Sequence, residues 1–359
     1  MRAILSCGGT GGHIYPAIAI ADKIKENEPD AEILFIGTKK GMENRIVPDA
    51  GYRIEGIDAS GFNRKNIMAN VETLRNLREG SKEAYEIIKE FKPDVVIGTG
   101  GYVTGTVLTV AHRSSVPCFI HEQNAIPGMA NRLISEYANG VFISFEGTGK
   151  GFRHQNRVFY TGNPVRSDFA SLNRTECRKK LGIADDETMV LATGGSLGAA
   201  VLNREIVQLV NELTLPEVKV YFVSGKRYYD DIKAQCEGKR VTLIDYADNM
   251  PELILASDLV ISRAGAIAVS EITASARASV LIPSPNVTNN HQYHNAKAIA
   301  DAGAAVLLEE KDMSSEYGEL AAVVLDLVKD GDRRRTMAEC AKQIGRSNAA
   351  DVIYENLKD

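Results

Sequence analysis

Two glycine-rich stretches could bind an anion, because each follows a short apolar run and precedes a helix-like pattern. The first is Gly8-Gly9-Thr10-Gly11-Gly12-His13, and the second is Gly194-Gly195-Ser196-Leu197-Gly198. Glycine lets the backbone approach a ligand closely, and the free N–H groups at a helix start carry partial positive charge. Such a loop favours a phosphate or diphosphate. Two of them predict two similar α/β domains that face one cleft.

His13 is a candidate for proton transfer, because it begins the helix after the first glycine loop. The paired glycines around Thr10 differ from the spaced GxGxxG of dinucleotide binders. A helix start favours neutral imidazole, which can accept a proton or donate a hydrogen bond. A lone histidine is more often structural, but this position favours a functional role.

Three further stretches follow predicted strands. Gly98 to Gly105 predicts a third flexible loop, and His121-Glu122-Gln123-Asn124 places four polar groups at a strand end. Polar groups make poor core residues and can bond sugar hydroxyls in pairs, although a solvated loop is the alternative. Residues 283–292 predict a polar loop before a helix near Tyr293, with Asn290 and Gln292 as sugar partners and with helix capping by Asn289 or Asn290 as the compatible alternative.

Glu271 lies six residues after Gly265, on a helix predicted to start at Ala266. A carboxylate there could accept both hydroxyls of a ribose, as acids do in other nucleotide sites. Taken alone, such an acid is more often a surface residue. The sequence has no histidines paired at i, i+4, and no acids cluster in a DxD arrangement that would hold a divalent ion on a diphosphate, so we predict no metal site and no cofactor.

Length and composition bound the protein class. A chain of 359 residues favours two domains, and its 44% hydrophobic and 25% charged content is that of a soluble globular protein. The net charge of −5 argues against general nucleic-acid binding. The five scattered cysteines argue against structural disulfides. No stretch approaches the ~20 apolar residues that span a bilayer.

Strand-like runs alternate with helical patterns through most of the chain. They lie near 2–7, 32–36, 94–98, 117–121, 140–143 and 157–160, and then near 188–193, 218–223, 240–244, 258–261, 279–282 and 305–308. This alternation predicts doubly covered parallel sheets, with ligands beyond the carboxyl ends of the strands. The predicted domains are 1–163 and 164–340. A C-terminal helix is predicted over about 333–357, and its part within 341–359 is expected to pack back on the first domain.

Residues 61–92 interleave basic and apolar side chains. They are Arg64, Lys65, Arg75, Arg78, Lys82, Lys89 and Lys92, with Phe62, Ile67, Met68, Leu74, Leu77, Tyr85, Ile88 and Phe91. A basic helix with an apolar face can lie on an anionic membrane surface. The pattern alone favours the alternative, which is an amphipathic helix packed on its own sheet.

At these motifs the chain resembles glycosyltransferase family 28, the membrane-associated N-acetylglucosaminyltransferases of bacterial peptidoglycan synthesis. The motifs are Gly8–His13, Gly98–Tyr102, His121–Asn124, Thr161–Arg166, Gly194–Ala199, Arg263–Glu271, and His291-Gln292 with Asn295-Ala296. The resemblance implies a GT-B fold, with two Rossmann-like domains around a deep cleft. It also implies inverting, metal-independent transfer of GlcNAc from UDP-GlcNAc to the MurNAc 4-hydroxyl of lipid I, which gives β-1,4-linked lipid II and UDP.

Carried over by position, the resemblance implies a donor site built from both domains. Its residues are Thr10, Gly11, Gly12, Asn124, Arg166, Ser196, Ala266, Ile267, Ala268, Val269, Ser270, Glu271 and Gln292. Glu271 would hold the ribose, the loop of Ser196 the diphosphate, and Gln292 the sugar. Tyr102 and His121 would face the acceptor. His13 is the first candidate for the general base, and Glu122 is the second.

The resemblance also implies a location and partners. It places the protein on the cytoplasmic face of the bacterial cell membrane, docked through 61–92, with the cell-wall synthesis machinery as a candidate partner. Leu197 and Ala276-Arg277-Ala278 depart from the family pattern of Gln and Gly-Leu-Pro, and the uracil position lies near Ala247. Two alternatives stay open: a UDP-GlcNAc 2-epimerase, which shares the two-domain design, and a non-catalytic nucleotide-binding protein.

Overall fold

The chain forms two compact units in a computed structural model that describes residues 1–59, 69–166, 168–195, 198–313 and 318–358. The first unit comprises Met1–Pro164 and Asn348–Asp359, and the second comprises Val165–Ser347. Each contains one parallel β-sheet with helices around it. The predicted α/β class with two parallel sheets is therefore confirmed. The predicted domain limits of 163 and 340 fall before the two divisions.

The first unit is built on a sheet whose neighbouring strands are all parallel. Its strands are β1 (Arg2–Cys7), β2 (Glu32–Thr38), β3 (Arg53–Ile57), β4 (Val95–Gly100), β5 (Cys118–Glu122), β6 (Gly140–Ile143) and β7 (Val158–Tyr160). They lie in the order β3-β2-β1-β4-β5-β6-β7. The order reverses between β1 and β4, and ligands bind beyond the carboxyl ends of the strands at such a switch point.

In the described part of the first unit, five α-helices lie between β1 and β6 along the chain. They are α1 (Gly11–Asn27), α2 (Glu43–Asp49), α3 (Ala69–Phe91), α4 (Tyr102–Arg113) and α5 (Met129–Ile134). The helix α1 buries Ile14, Ala17, Ile20 and Ile24 against the sheet. Their three- and four-residue spacing is that of one helix face, which fixes where the first glycine loop stands.

The second unit repeats this plan. Its strands are β8 (Thr188–Thr193), β9 (Val218–Val223), β10 (Val241–Ile244), β11 (Leu259–Ser262), β12 (Ala278–Leu281) and β13 (Ala305–Leu307), in the order β10-β9-β8-β11-β12-β13. Its helices are α6 (Asp168–Ser171), α7 (Arg174–Leu181), α8 (Ala200–Glu212), α9 (Tyr229–Gln235), α10 (Met250–Ala256), α11 (Ala266–Ala274), α12 (His291–Asp301), α13 (Glu319–Lys329) and α14 (Gly331–Ile344). The second glycine loop follows β8, which lies at the switch point of this sheet.

The last helix, α15 (Ala349–Asn356), belongs to the first unit. Ile353 and Tyr354 are buried in the core beside α1, and the Tyr354 hydroxyl donates to Glu28 at 3.0 Å. The prediction of one helix over about 333–357 is wrong, because α14 ends at Ile344. Gly345 then passes so close to Thr273 that a Cβ would lie 2.4 Å from the Thr273 carbonyl oxygen.

Two other local predictions differ from the structure. The strand β3 was not predicted from the sequence. It lies at the edge of the sheet, where β2 is its one neighbour among the described strands, and its exposed and half-buried residues alternate, with Gly56 at a half-buried position. The predicted loop over 98–105 is wrong, since β4 continues to Gly100 and α4 begins at Tyr102. Gly100 and Gly101 have φ values of 125° and 95°, a conformation that lets the chain turn from strand to helix within one residue.

The predicted membrane segment is described only in part, because its first residues, 61–68, lie outside the described ranges. The remainder is α3, which packs Ala84 and Ile88 into the core of the first unit and leaves Leu77 and Tyr85 exposed. None of the described helices combines the length and apolar character that crossing a bilayer requires.

Candidate functional site

A cavity of about 520 Å³ lies in the second unit, where β8, β11 and β12 end. Gly194, Gly198, Arg263, Ser284 and Gln292 are among its lining residues. Volumes of this size are typical of small-molecule sites. The cavity therefore occupies the position at which an open parallel sheet binds a ligand.

The amino end of α8 forms one wall of this cavity through Ala199, Ala200 and Val201. No described side chain caps the start of this helix. The first N–H groups of a helix have no partner within the helix, and they attract anions together with the helix dipole. The predicted Ser196 and its neighbour Leu197 lie outside the described residues.

The glycines of this loop are needed for its shape. A Cβ on Gly194 would lie 2.7 Å from the Ala199 nitrogen, and one on Gly198 would lie 2.5 Å from the Ser224 carbonyl oxygen. Gly198 also has a φ of 70°. The loop can therefore hold its backbone against the cavity only because these positions have no side chain.

The six predicted residues from Ala266 to Glu271 occupy the first turns of α11. Ala268 lines the cavity, and Ile267 is half-buried. Val269 is buried in the protein interior, and the Ser270 hydroxyl donates to the Ala266 carbonyl oxygen at 2.8 Å. The side chains of Val269 and Ser270 are thus engaged within the protein.

Glu271 is buried rather than a surface acid, and it forms an ion pair. The Arg166 Nε donates to Glu271 Oε1 at 2.9 Å, and Glu271 is only 5% exposed. Burial raises the pKa of the Glu271 carboxyl, and the neighbouring Arg166 guanidinium partly opposes that shift. The structure therefore brings together two residues predicted for the donor site, Arg166 and the ribose-binding candidate Glu271.

Gln292 lies in the first turn of α12, where its Oε1 accepts from the Ser284 amide at 2.9 Å. Sequence reasoning missed Arg263 and Glu310, which form an ion pair on the cavity wall. Arg263 could have been found from its place at a strand end within a motif. Glu310 gave no signal, because it lies 47 residues further along the chain.

The first glycine loop is tied to a buried acid that the sequence analysis also missed. Glu43 Oε2 accepts from the Gly9 amide at 3.2 Å, and Oε1 accepts from the Thr38 amide at 2.8 Å and from its hydroxyl at 2.6 Å. Burial alone would raise the pKa of Glu43, but these hydrogen bonds lower it on balance. The loop thus lies against a fixed negative charge. Thr10 and Gly12 are exposed at the start of α1, and Gly11 is half-buried.

His13 is half-buried in the first turn of α1. Its Nδ1 lies 3.1 Å from the Thr99 carbonyl oxygen and 3.1 Å from Gln123 Oε1. A Cβ on Gly100 would lie 2.4 Å from His13 Nδ1, so glycine at this position is what lets the ring approach β4. Tyr102, two residues after Gly100, begins α4 and is 72% exposed.

The polar run at the end of β5 does not form the ligand-facing segment that the sequence predicted, since His121 and Glu122 are the last two residues of the strand. His121, Glu122 and Gln123 are 0%, 2% and 2% exposed, so the expectation that His121 faces an acceptor does not fit its burial. These side chains are stable inside the protein because each polar end has hydrogen-bond partners. Only Asn124 of the four is half-buried, and its amide group lies 3.3 Å from Glu122.

Glu122 organises the chain after β5. Its two carboxylate oxygens accept from the Asn124 amide at 3.0 Å, the Gly128 amide at 2.9 Å and the Asn131 side chain at 2.8 Å. Within the described ranges, no group of three or more His, Cys, Asp or Glu residues is placed to hold a metal ion.

Known proteins are similar to this chain over its whole length. The models of the glycosyltransferase family 28 N-terminal and C-terminal domains match residues 3–143 and 189–353. A relative from Alkaliphilus oremlandii is 42% identical, and one from Acetivibrio thermocellus is 43% identical, over 100% of this chain and 98% of each relative. Both are named UDP-N-acetylglucosamine--N-acetylmuramyl-(pentapeptide) pyrophosphoryl-undecaprenol N-acetylglucosamine transferase.

Two solved structures are also similar to this chain over almost its whole length. The crystal structure of Acinetobacter baumannii MurG superposes with a TM-score of 0.81 at 27% identity, covering 99% of both chains. A UDP-GlcNAc 2-epimerase from Neisseria meningitidis superposes with a TM-score of 0.70 at 15% identity, covering 100% of both chains. The second likeness concerns the fold alone.

Proposed function

The chain belongs to glycosyltransferase family 28, and we propose that it transfers N-acetylglucosamine from UDP-N-acetylglucosamine to lipid I. The acceptor group is the 4-hydroxyl of the MurNAc-pentapeptide, and the products are β-1,4-linked lipid II and UDP. The names of the full-length relatives support this reaction. The structural observation that carries it is the start of α8 on the cavity wall, which no described side chain caps and which suits a diphosphate.

The donor would lie in the second unit with each part against a different group. The diphosphate would accept from the first N–H groups of α8, next to the loop of Ser196. Glu271 would accept from the ribose hydroxyls, which requires its partner Arg166 to share or release it. An Arg166 side chain released from Glu271 would be available to the diphosphate. Gln292, on α12, would bond the sugar hydroxyls. The α11 residues Ala266 to Ser270 would border the nucleotide.

The acceptor would be activated from the first unit. Its 4-hydroxyl oxygen would attack the anomeric carbon while the bond from that carbon to the diphosphate oxygen breaks, and UDP would leave with the bonding electrons. His13 Nε2 would take the hydroxyl proton, because its other nitrogen already faces two carbonyl oxygens. Glu122 is the weaker candidate, since its oxygens are buried and accept other hydrogen bonds.

Helices would stabilise the charge that develops on the leaving UDP. The N–H groups at the start of α8 would point at the diphosphate, and a single such donor is worth on the order of a hundredfold in rate. Thr10, Gly11, Gly12 and Asn124 would approach the donor sugar from the first unit, and the exposed Tyr102 would contact the acceptor.

We also propose that the protein is peripheral on the cytoplasmic face of the cell membrane, where a lipid-linked acceptor lies. On α3, the exposed Arg75, Arg78 and Lys82 are spaced by three and four residues, and the exposed Tyr85 and Lys89 continue the same spacing. Such a stripe attracts anionic lipid head groups. The acids Glu79, Glu83, Glu86 and Glu90 form a neighbouring stripe, so the attraction would depend on orientation. The cell-wall synthesis machinery stays a candidate partner.

One assay tests the proposed reaction against both alternatives. The protein is incubated with UDP-GlcNAc, with and without a lipid I analogue, and UDP and sugar products are measured. We expect UDP and lipid II to form together only when the acceptor is present. Conversion of UDP-GlcNAc to its 2-epimer without acceptor would establish the epimerase, and UDP binding without any turnover would establish the non-catalytic protein.

A further inference from the structure

Behind His13 lies a chain of buried hydrogen bonds centred on Gln123. Gln123 Nε2 lies 2.6 Å from the Thr99 carbonyl oxygen, 3.1 Å from the His121 carbonyl oxygen and 2.9 Å from His121 Nδ1. Gln123 Oε1 lies 3.1 Å from His13 Nδ1. Beyond it, His121 Nε2 lies 3.1 Å from the Gly162 carbonyl oxygen. Gln123 and His121 are buried, so solvent does not compete for these bonds.

The backbone carbonyls decide which way each group in this chain points. A carbonyl oxygen only accepts, so the two that face Gln123 require its NH₂ group, and Gln123 Oε1 must then face His13. The Gly162 carbonyl oxygen likewise requires the proton of His121 on Nε2, which leaves Nδ1 of that ring to accept from Gln123. Every donor in the chain thus has an acceptor, and the bonds are donated in one consistent direction, from His13 through Gln123 and His121 to the Gly162 carbonyl oxygen.

The same logic fixes the proton of His13. Its Nδ1 faces two acceptors, Thr99 O and Gln123 Oε1, and must therefore carry the proton in the neutral ring. The Thr99 oxygen also accepts the short bond from Gln123, so two donors share it, whereas His13 is the one donor among the described residues that faces Gln123 Oε1. The lone pair of His13 is then on Nε2.

We propose that Gln123 is a positioning residue that holds His13 in the Nδ1–H tautomer and so keeps Nε2 ready to accept a proton. The proposal rests on the proposed function, in which His13 Nε2 takes the proton of the acceptor hydroxyl. When Nε2 is protonated, the Nδ1–H still donates to Gln123, so the same bond stabilises the charged ring. An amide does this without adding a buried charge next to the ring.

His121 supports this arrangement as a neutral group. Burial is the main cause that lowers the pKa of the imidazole to about 4; the hydrogen bond to Gly162 opposes it and the charge of His13 adds to it, so the ring stays uncharged at neutral pH. A neutral His121 keeps Nδ1 as an acceptor for Gln123. His121 therefore acts through Gln123 and does not compete with His13 for the proton.

The first test replaces Gln123 with methionine, which keeps the length of the side chain and removes both hydrogen-bonding ends. In the full-length protein we expect kcat to fall about a hundredfold, with the KM for UDP-GlcNAc unchanged. The ¹⁵N shifts of the His13 ring should change from one tautomer, protonated on Nδ1, to a mixture of both. Gln155→Met is the matched control, since Gln155 also donates to two carbonyl oxygens in the first unit but bonds no histidine.

A second variant keeps the proposal testable if the methionine variant melts at a lower temperature. Gln123→Glu retains an acceptor for the His13 Nδ1–H, but a carboxylate there favours the charged ring. The acid limb of the kcat profile should therefore move to higher pH. An unmoved limb would overturn the proposal.

The results separate the proposal from the function on which it rests. If Gln123→Met keeps either the wild-type kcat or the single His13 tautomer, Gln123 has no positioning role, while transfer by the wild-type protein would leave the function intact. If the wild-type protein shows no transfer, the function fails, and the ¹⁵N spectra still report whether Gln123 sets the tautomer.

Discussion

The two glycine loops have the same strand-loop-helix construction but differ in what lies against them. In the first unit, the Gly9 amide donates to the buried carboxylate of Glu43. In the second, the start of α8 lies on an open cavity and no described side chain caps it. The Glu43 carboxylate would repel an anion at the first loop. At the second loop, the first N–H groups of α8 have no partner within the helix and lie on the cavity wall.

The difference shows that a glycine-rich turn does not by itself predict a phosphate site. The first loop uses its flexibility to bring His13 close to Gly100 and β4, and it presents a side chain. The second uses its flexibility to bring the backbone to the cavity wall, and it presents main-chain donors. We therefore propose that related architecture serves proton transfer in one unit and anion binding in the other.

The largest expected effect breaks the first half of this comparison. His13→Ala should lower kcat by about 10²–10⁴-fold, because it removes the group that takes the acceptor proton. UDP affinity should not change. Turnover is measured as UDP release with a lipid I analogue, and His154→Ala, at another histidine of the first unit, is the control. Equal turnover in the His13 variant and the wild type would remove His13 from the mechanism.

The next effect concerns Glu271, which lies in the same unit as the second loop and is proposed to bind the ribose of the same ligand. Glu271→Gln should weaken UDP binding by about tenfold to a hundredfold, since hydrogen bonds to a charged group contribute about 1.5–3 kcal/mol. Isothermal titration with UDP measures it, and Asp301→Asn, an exposed acid of the same unit, is the control. Unchanged affinity would show that the ribose does not reach Glu271.

Acidification should sharpen that result. Burial raises the pKa of Glu271, so the carboxyl gains a proton at a higher pH than an ordinary glutamate would. UDP affinity should therefore begin to fall above the usual glutamate range as the pH is lowered. The Glu271→Gln variant should lack this pH dependence, apart from that of UDP itself. A wild-type profile that matches the variant would contradict the assignment.

A smaller effect tests the anchor of the first loop. Glu43→Gln should lower the free energy of unfolding of the first unit by about 1–3 kcal/mol, because the amide group cannot accept all three hydrogen bonds. The pKa of Glu43 is lowered by folding, so its stabilisation is present above the ordinary value of about 4.3 and is lost as the pH falls through the folded value.

Denaturant titrations at several pH values measure this difference. The gap between the wild type and Glu43→Gln should be full at neutral pH and shrink on acidification. Glu55→Gln, at an exposed acid on β3, should leave stability nearly unchanged. A gap that persists unchanged in acid would show that Glu43 is not ionised against the loop.

The smallest effect concerns the surface of the first unit. Lys82→Gln on α3 should weaken binding to vesicles that contain anionic lipid by about 1 kcal/mol, or roughly fivefold. Vesicle sedimentation measures it. Lys233→Gln, at an exposed lysine of the second unit, should have no effect if only the first unit docks. Equal losses for the two variants would contradict membrane docking through α3.

Strand positions could be predicted because buried parallel strands are short apolar runs that end in glycine or polar residues. Val95-Val96-Ile97 and Met189-Val190-Leu191 are buried in this way. The edge strand β3 escaped because Arg53 and Glu55 alternate with apolar residues and one neighbour suffices for pairing. The glycines after β4 were misassigned to a loop, because their positive φ values allow a tight turn as well as flexibility.

The site was harder to predict because its contacts join residues that are far apart in sequence. His13 meets Gln123 across 110 residues, and Arg166 meets Glu271 across 105. Periodicity cannot show that Glu122 and Gln123 are buried, since polar residues enter a core only where distant backbone groups bond them. The motifs indicated the right segments, but the direction of each side chain depended on the folded sheet.

The return of α15 to the first unit has a consequence for synthesis on the ribosome. Residues 1–164 emerge early, yet their core still lacks Ile353 and Tyr354, and Glu28 still lacks the Tyr354 hydroxyl. The first unit therefore stays incomplete until residues 349–356 have been made, by which time the second unit already has its whole sequence. Chains terminated after Ser347 would carry an exposed apolar groove along α1 and would be substrates for chaperones and proteases.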